Sequence, residues 1–132
     1  GVVLDSRGGS LPYMALPHRF GLGATWGDGS QPFSWVGLND VLSAIYFIIN
    51  NFQPTAYNIV SPQCLTHAQF MKTIATCYHR PCFIRVPRII ASHCGRMIDA
   101  TLMKGQHISS QKITEKGFTF AQQNIRDVLH HE

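Results

Sequence analysis

Gly21-Leu22-Gly23-Ala24-Thr25-Trp26-Gly27-Asp28-Gly29 runs into Ser30-Gln31-Pro32-Phe33-Ser34-Trp35-Val36-Gly37-Leu38, and the reading of this passage decides the fold. Gly23, Gly27 and Gly29 have the spacing of a dinucleotide-binding fingerprint. Such a fingerprint needs a strand leading in and a helix N-terminus leading out, where backbone N–H groups and the helix dipole hold a pyrophosphate. Here a strand follows instead: Pro32 to Leu38 alternates, with Phe33 and Trp35 on one face. The glycines therefore belong to a loop between structural elements, and no cofactor is assigned to them.

Upstream, Val2–Leu4 reads as a strand feeding the loop Asp5-Ser6-Arg7-Gly8-Gly9, and Leu11 to Arg19 as a short helix ending near Gly21. Downstream, Asn39 or Asp40 can cap a helix whose apolar stripe is Val41, Ile45, Ile48, Ile49 and Phe52, a core-facing pattern. Tyr57–Val60 reads as a strand stopped by Ser61-Pro62. Thr66-x-x-Gln69 is a capping box opening a helix through Phe70, Met71, Ile74, Ala75 and Tyr78. Cys82 to Val86 is a short strand, and Pro87 suits the first turn of a third helix to about Lys104, interrupted by Gly95. Ser110 to Lys116 is a short helix closed by Gly117. Phe118 and Phe120 then alternate as in a strand, before a last helix from Gln122 to His131 through Ile125, Val128 and Leu129.

The 132 residues, 45% hydrophobic and only 14% charged, exclude a disordered, collagenous or coiled-coil chain, since ordinary domains carry ~25% charge. The longest apolar run, Ala44 to Ile49, falls far short of the ~18–20 residues that span a membrane. With no secretory leader to read, a cytoplasmic setting with reduced cysteines is expected. The charge is uneven. Residues 1–66 hold Arg7 and Arg19 against Asp5, Asp28 and Asp40, whereas nine of the eleven basic residues follow position 66.

Cys64, Cys77, Cys82 and Cys94 contain no Cys-x-x-Cys pair, and packed thiols are expected. Cys64-x-x-His67 and His79-x-x-Cys82 mirror each other, but a helix between them separates the histidines by ~18 Å at ~1.5 Å per residue. Tetrahedral zinc needs every ligand ~2.0–2.3 Å from one centre, so no metal site is assigned. His18, His93 and His107 have no carboxylate or cysteine partner at catalytic spacing, apart from the adjacent His93-Cys94, whose side chains would diverge on a helix, and His130 and His131 close the last helix.

Taken in order, several segments of the chain resemble one family. These are Gly1-Val-Val-Leu4, Gly8-Gly9, Phe20-Gly-Leu-Gly23, Gly27-Asp-Gly29, Gln31-Pro-Phe-Ser-Trp-Val36, Asp40, Tyr57-Asn-Ile-Val-Ser-Pro62, Phe70, Arg80-Pro81, Val86-Pro87, Gly105-Gln106 and Lys116-Gly-Phe118. The family is the NAD(P)-dependent epimerase-like proteins of the extended short-chain dehydrogenase/reductase superfamily, often labelled nucleoside-diphosphate-sugar epimerases. The resemblance covers essentially the whole chain and is to the family's C-terminal half. It implies an α/β fold: the substrate-side portion of a Rossmann-type protein, with helices around a few short strands. Residues 1–86 would be the substrate-side part of the epimerase domain, and residues 87–132 a small helical domain peculiar to the group.

By the same resemblance, Gly8, Gly9 and Leu11 would lie nearest the NAD or NADP cofactor, and Gln31, Phe33 and Trp35 would face a nucleotide-sugar-like substrate. The family's glycine-rich turn and its Tyr-x-x-x-Lys pair would precede Gly1. Four residues after Tyr13, Tyr46, Tyr57 and Tyr78 stand Pro17, Asn50, Ser61 and Cys82, so no tyrosine here has the lysine that tunes its proton transfer. No catalytic residue is therefore assigned, and the chain alone is expected to bind no cofactor, to be inactive and to self-associate. Two departures bear on specificity. Trp35-Val36-Gly37 lacks the histidine common in the family after an aliphatic residue, and Gly95-Arg96 replaces a common Gly-Glu pair. A different reading is a non-catalytic interaction domain that holds an acidic partner or nucleic acid through Arg80, Arg85, Arg88 and Lys112.

Overall fold

The computed structural model describes residues 1–51, 53–93 and 105–130. In chain order the elements are β1 (Val2–Asp5), β2 (Gly8–Gly9), α1 (Ser10–Arg19), β3 (Ala24–Trp26), β4 (Pro32–Phe33), β5 (Trp35–Gly37) and α2 (Leu38–Asn50). There follow β6 (Leu65–Thr66), α3 (His67–Cys77), β7 (Ile84–Val86), α4 (Arg88–His93), α5 (Gln111–Glu115) and α6 (Ile125–Leu129). The fold is mixed α/β with short strands. Strands β1 and β5 run parallel, Val2 beside Trp35 and Leu4 beside Gly37, and β2 folds back antiparallel on β1. Two further pairs are β3 with β7, parallel, and β4 with β6, antiparallel.

Successive side chains of a strand point to opposite faces, and β5 uses this to divide the interior in two. Trp35 joins Leu4, Leu11, Phe33, Phe70, Ile74, Ile125 and Val128 in one core. Its neighbour Val36 joins Ala44, Ile113, Phe118 and Phe120 in the other. The capping box of α3 is present as the sequence implies: Thr66 Oγ1 accepts from Gln69 N, and Gln69 Oε1 accepts from Thr66 N. That fixes the start of the helix so that Phe70, Met71, Ile74 and Ala75 all turn inward.

Several expectations are corrected. The segment Pro32 to Leu38 forms two strands, not one, broken at Ser34. The Ser34 hydroxyl donates to Gln106 O at 2.6 Å, its carbonyl accepts from Val2 N, and Leu38 already opens α2. The glycine loop contains a strand of its own, because Ala24–Trp26 finds Ile84–Val86 as a parallel partner. Tyr57–Val60 joins no ladder: Tyr57 and Ile59 pack against the second core instead, and the chain is tied to β5 by Ser61 N donating to Trp35 O at 2.7 Å. Phe118 and Phe120 alternate inward without forming a strand. The last helix begins at Ile125, because Asn124 caps it in a box with Asp127.

Helix α2 departs furthest from the sequence reading. Gly37, not Asn39 or Asp40, occupies its N-cap. Asp40 lies inside the first turn, where its carboxylate accepts from Ala121 N and Gln122 N, both at 2.9 Å. That pair of bonds sets the rotation of the helix, so Asp40 and Ala44 are its buried line. Val41 and Ile48 are half-buried, whereas Ile45 is 50% and Ile49 69% exposed, so the predicted stripe is not the buried face. Phe52, Cys94, Gly95, Arg96, His131 and the continuation of the third helix to Lys104 lie outside the described residues.

Candidate functional site

Parallel strands in open α/β sheets present ligands at their carboxyl ends, beyond the last hydrogen-bonded residue. Here those ends are Asp5 of β1 and Gly37 of β5. A cavity of about 360 Å³ opens beside them, lined by Val3, Asp5, Arg7, Gly8, Gly9 and Leu38. A smaller one of about 150 Å³ adjoins the same Asp5, Arg7 and Leu38 and reaches Asn39, Gln122 and Val128. Gly9 has φ of 71°, a left-handed value that suits glycine, and it turns the chain from β2 into α1. The two glycines leave the backbone of the cavity wall open to close approach.

The rim carries a fork. Arg7 Nε and one terminal nitrogen donate to the two Asp5 oxygens at 3.1 and 2.9 Å, and the Arg7 amide donates to Asp5 Oδ1 at 2.7 Å. The Asp5 hydrogen bond, then its charge, holds the Arg7 guanidinium above its ordinary range. Sequence reasoning missed Asp5, Arg7 and Leu38 as site residues. The legible signal was Asp-x-Arg directly before Gly-Gly at the end of a strand.

Of the residues expected to face ligands, Gly8 and Gly9 line this cavity. Leu11, 2% exposed, packs into the first core. Phe33 stacks on Phe70 with ring centroids 4.1 Å apart, and Trp35 is fully buried. Gln31 is half-buried; its Nε2 donates to Trp26 O at 3.1 Å, and its carbonyl accepts from His67 N. The cavity wall does not include Leu11, Gln31, Phe33 or Trp35. The Gly23/Gly27/Gly29 loop leads into β4, with no helix N-terminus behind it. Its glycines serve packing: a Cβ at Gly23 would overlap the His18 ring, and one at Gly29 would overlap Ala68.

Two histidines are interior. His67 is wholly buried beside Phe33, and burial lowers its pKa to about 4, so it is neutral at pH 7. His18 is likewise lowered by burial, against the opposing pull of the Met14 carbonyl that faces its Nδ1. His107 corrects the sequence reading, which gave it no partner: its Nε2 lies 3.4 Å from Cys64 Sγ, across 43 residues of chain. Cys64 is exposed, not packed, and Cys64, Cys77 and Cys82 are free thiols. Among the described residues, no three His, Cys, Asp or Glu side chains gather to hold a metal ion, and no helix is long and apolar enough to cross a membrane.

No protein-family model matches the chain. It is 30% identical over 130 residues to an epimerase family protein of Staphylococcus aureus, and 32% identical over 130 residues to the epimerase family protein YfhF of Bacillus subtilis. Each match takes in 98% of this chain and 43% of the relative, so the chain spans less than half the length of these curated relatives. Among solved structures, the human epimerase family protein SDR39U1 with NADPH superposes with a TM-score of 0.89 at 29% identity, over 98% of this chain and 44% of that one. A nucleoside-diphosphate sugar epimerase from Corynebacterium glutamicum shares the fold, with a TM-score of 0.75 at 24% identity, over 100% of this chain and 24% of that one. The portions matched are the C-terminal ones of Rossmann-type structures of the extended short-chain dehydrogenase class.

Proposed function

We infer that this chain is the C-terminal, substrate-side portion of an epimerase family protein, and that the protein it represents is an NAD(P)-dependent nucleotide-sugar epimerase or reductase of the cytoplasm. The observation that carries this reading is the cavity at the carboxyl ends of β1 and β5. It is walled by Gly8 and Gly9, in a chain that superposes on an NADPH-bound relative. Gly8 and Gly9 give a dinucleotide room to lie against backbone, and Leu11 backs that wall from the core. Gln31 is the residue proposed to meet a sugar hydroxyl or amide, by exchanging its present bond to Trp26 O, while Phe33 and Trp35 hold the adjoining strands in the core. Residues 1–86 supply these parts. On this reading residues 87–132 belong to the second unit; of that stretch, Ile113, Phe118, Phe120, Ile125 and Val128 contribute to the two cores.

The chain by itself performs no turnover. No tyrosine has its lysine, and the one glycine cluster that mimics a fingerprint runs into a strand. Contacts from Gly8, Gly9 and Gln31 add specificity to a cofactor already held, and cannot alone offset the entropy of binding it. Calorimetry against NADH and NADPH, beside the human relative as a positive control, is expected to show no heat for this chain. Micromolar binding by the chain alone would overturn its assignment as the substrate side. In amide NMR, UDP-glucose at millimolar concentration is expected to shift Arg7, Gly8, Gly9 and Gln31.

The interaction-domain reading keeps one observation in its favour. Of the four cations it names, Arg80 and Arg85 line a common cavity of about 470 Å³ together with Lys72 and Asp28, whereas Arg88 is not in that lining and Lys112 is engaged elsewhere, with Thr55, Ala56 O and the Tyr57 ring. Salt-sensitive RNA binding that shifts only those residues would replace the first reading with this one.

A further inference from the structure

We propose that Cys64 and His107 form a nucleophilic pair at which this chain is modified by low-molecular-weight disulfides. Neither residue belongs to the cavity at the ends of β1 and β5. Both are exposed, and the thiol sulfur stands 3.4 Å from His107 Nε2, with Pro62 O a longer alternative acceptor at 3.9 Å. A thiol becomes a nucleophile when its proton leaves, and an imidazole nitrogen at this distance is placed to accept that proton as a general base during attack.

The pair is held by structure on both sides. On the Cys64 side, Ser61 N donates to Trp35 O, Gln63 Oε1 accepts from Ile125 N at 2.9 Å, and Leu65 pairs with Phe33 in the β4–β6 ladder. On the His107 side, Gln106 O accepts from the Ser34 hydroxyl, and Gly105 lies so close to the Pro32 carbonyl that a Cβ would overlap it. Both segments are thus fastened to β4 and its flanks, which keeps sulfur and ring in register. A cavity of about 540 Å³ opens at the same place, with Ser109, Ser110, Gln111 and Glu115 among its lining beside Cys64 and His107. Its lining is more apolar than polar, with Pro62 and Ile108 beside the sulfur and ring, while Ser109, Gln111 and Thr114 supply polar groups for the amides of a short peptide disulfide such as oxidised glutathione.

In the exchange, the Cys64 proton passes to His107 Nε2 and the sulfur attacks one sulfur of the incoming disulfide. A new S–S bond forms to Cys64 as the old one breaks. The Cys64 sulfur is oxidised, the departing sulfur is reduced to a thiol, and it takes the proton back from His107.

The test is incubation of the whole chain with oxidised glutathione, read by intact mass and peptide mapping, and with an aromatic disulfide reagent, read by rate. One glutathione is expected on the peptide carrying Cys64, and Cys64→Ser is expected to remove both the adduct and the fast phase of the reagent. His107→Gln is expected to slow that phase by about tenfold while the slower reaction of the half-buried Cys77 and Cys82 keeps its rate, which reports that the fold is intact. An unchanged fast phase in His107→Gln, or an adduct mapped to another cysteine, would overturn the proposal. If His107→Gln alters the slow phase as well, His107→Asn replaces it under the same criteria.

Discussion

Asp40 Oδ2 accepts the backbone N–H of Gln122 at 2.9 Å, from the first turn of α2 to a segment 82 residues further along the chain. Its other oxygen takes the neighbouring Ala121 amide, so one carboxylate, 2% exposed, satisfies two donors. The bond joins the β5–α2 corner, which forms one side of the candidate site, to the turn before α6. Replacing Asp40 by alanine strands the buried Gln122 amide, at ~1–3 kcal/mol for an unsatisfied buried donor, and the part-buried Ala121 amide at less, so the expected loss is about 2–4 kcal/mol. Asp40→Asn keeps one acceptor and sets an NH2 against the second amide, so it should fall between. Urea denaturation measures both. A loss below about 0.5 kcal/mol for Asp40→Ala, the range of ordinary surface substitutions, would show that the segment re-pairs elsewhere.

Asp40 also shows why the sequence was legible only in part. The capping box Thr66/Gln69, the stop at Gly117 and the inward line of α3 are local, set by residues three or four apart, and they are found where the pattern places them. The rotation of α2 is not local. Its apolar residues ring most of the helix, and the direction it faces follows from a carboxylate whose partners lie 81 and 82 residues away. The missed strand Ala24–Trp26 has the same cause, since its partner Ile84–Val86 is distant in sequence. At the candidate site, Gly8 and Gly9 were readable as a turn after a strand, whereas Leu38 enters from another element. The Cys64–His107 pair had no sequence signal at all.

His67 makes stability depend on pH. Its folded pKa is lowered by burial from 6.5 to about 4, so below pH 6.5 the unfolded chain binds a proton that the folded chain refuses. Stability is therefore full above about pH 6.5 and declines as pH falls toward 4, by roughly 3 kcal/mol at ~1.36 kcal/mol per pH unit. His18, lowered in the same direction, adds to the slope. Denaturation midpoints between pH 7.5 and 4.5 should show this decline, and His67→Leu should flatten most of it. Equal slopes in the two proteins would mean that the charge of His67 is accommodated in the fold.

Gly105 packs its Cα against the backbone of β4, where a side chain has no space. The obstacle is the Pro32 carbonyl, which cannot swing aside as a flexible side chain would. Gly105→Ala should therefore push the 105–107 segment off β4 and cost about 1–3 kcal/mol, the range of overpacked sites. The hydrogen bond from Ser34 to Gln106 O should weaken with it, visible as a shift of the Gln106 carbonyl carbon resonance. Thermal unfolding at the parent temperature, with that resonance unchanged, would show that the close approach is relieved without consequence.

The outward face of α2 should drive self-association. Leu42, Ile45, Tyr46 and Ile49 stand at helical offsets of 0, 3, 4 and 7, hence on one side, and are 57%, 50%, 72% and 69% exposed. Neighbouring apolar side chains on one helix form a contiguous patch, and such patches on soluble proteins mark surfaces that are normally covered. Strand β1 adds Val3, 42% exposed. At micromolar concentration the chain is expected to sediment as more than a monomer and to bind a dye that lights up on apolar surface. Ile45→Glu with Ile49→Lys puts an opposite-charge pair four residues apart on this face, in the orientation that supports a helix. The double variant should sediment as a monomer and lose most of the dye signal, with stability changed by less than about 0.5 kcal/mol because neither side chain is in the core. A parent chain that is monomeric and dye-silent would show that this face needs no partner. A double variant that still associates would move the contact to the β1 edge at Val3.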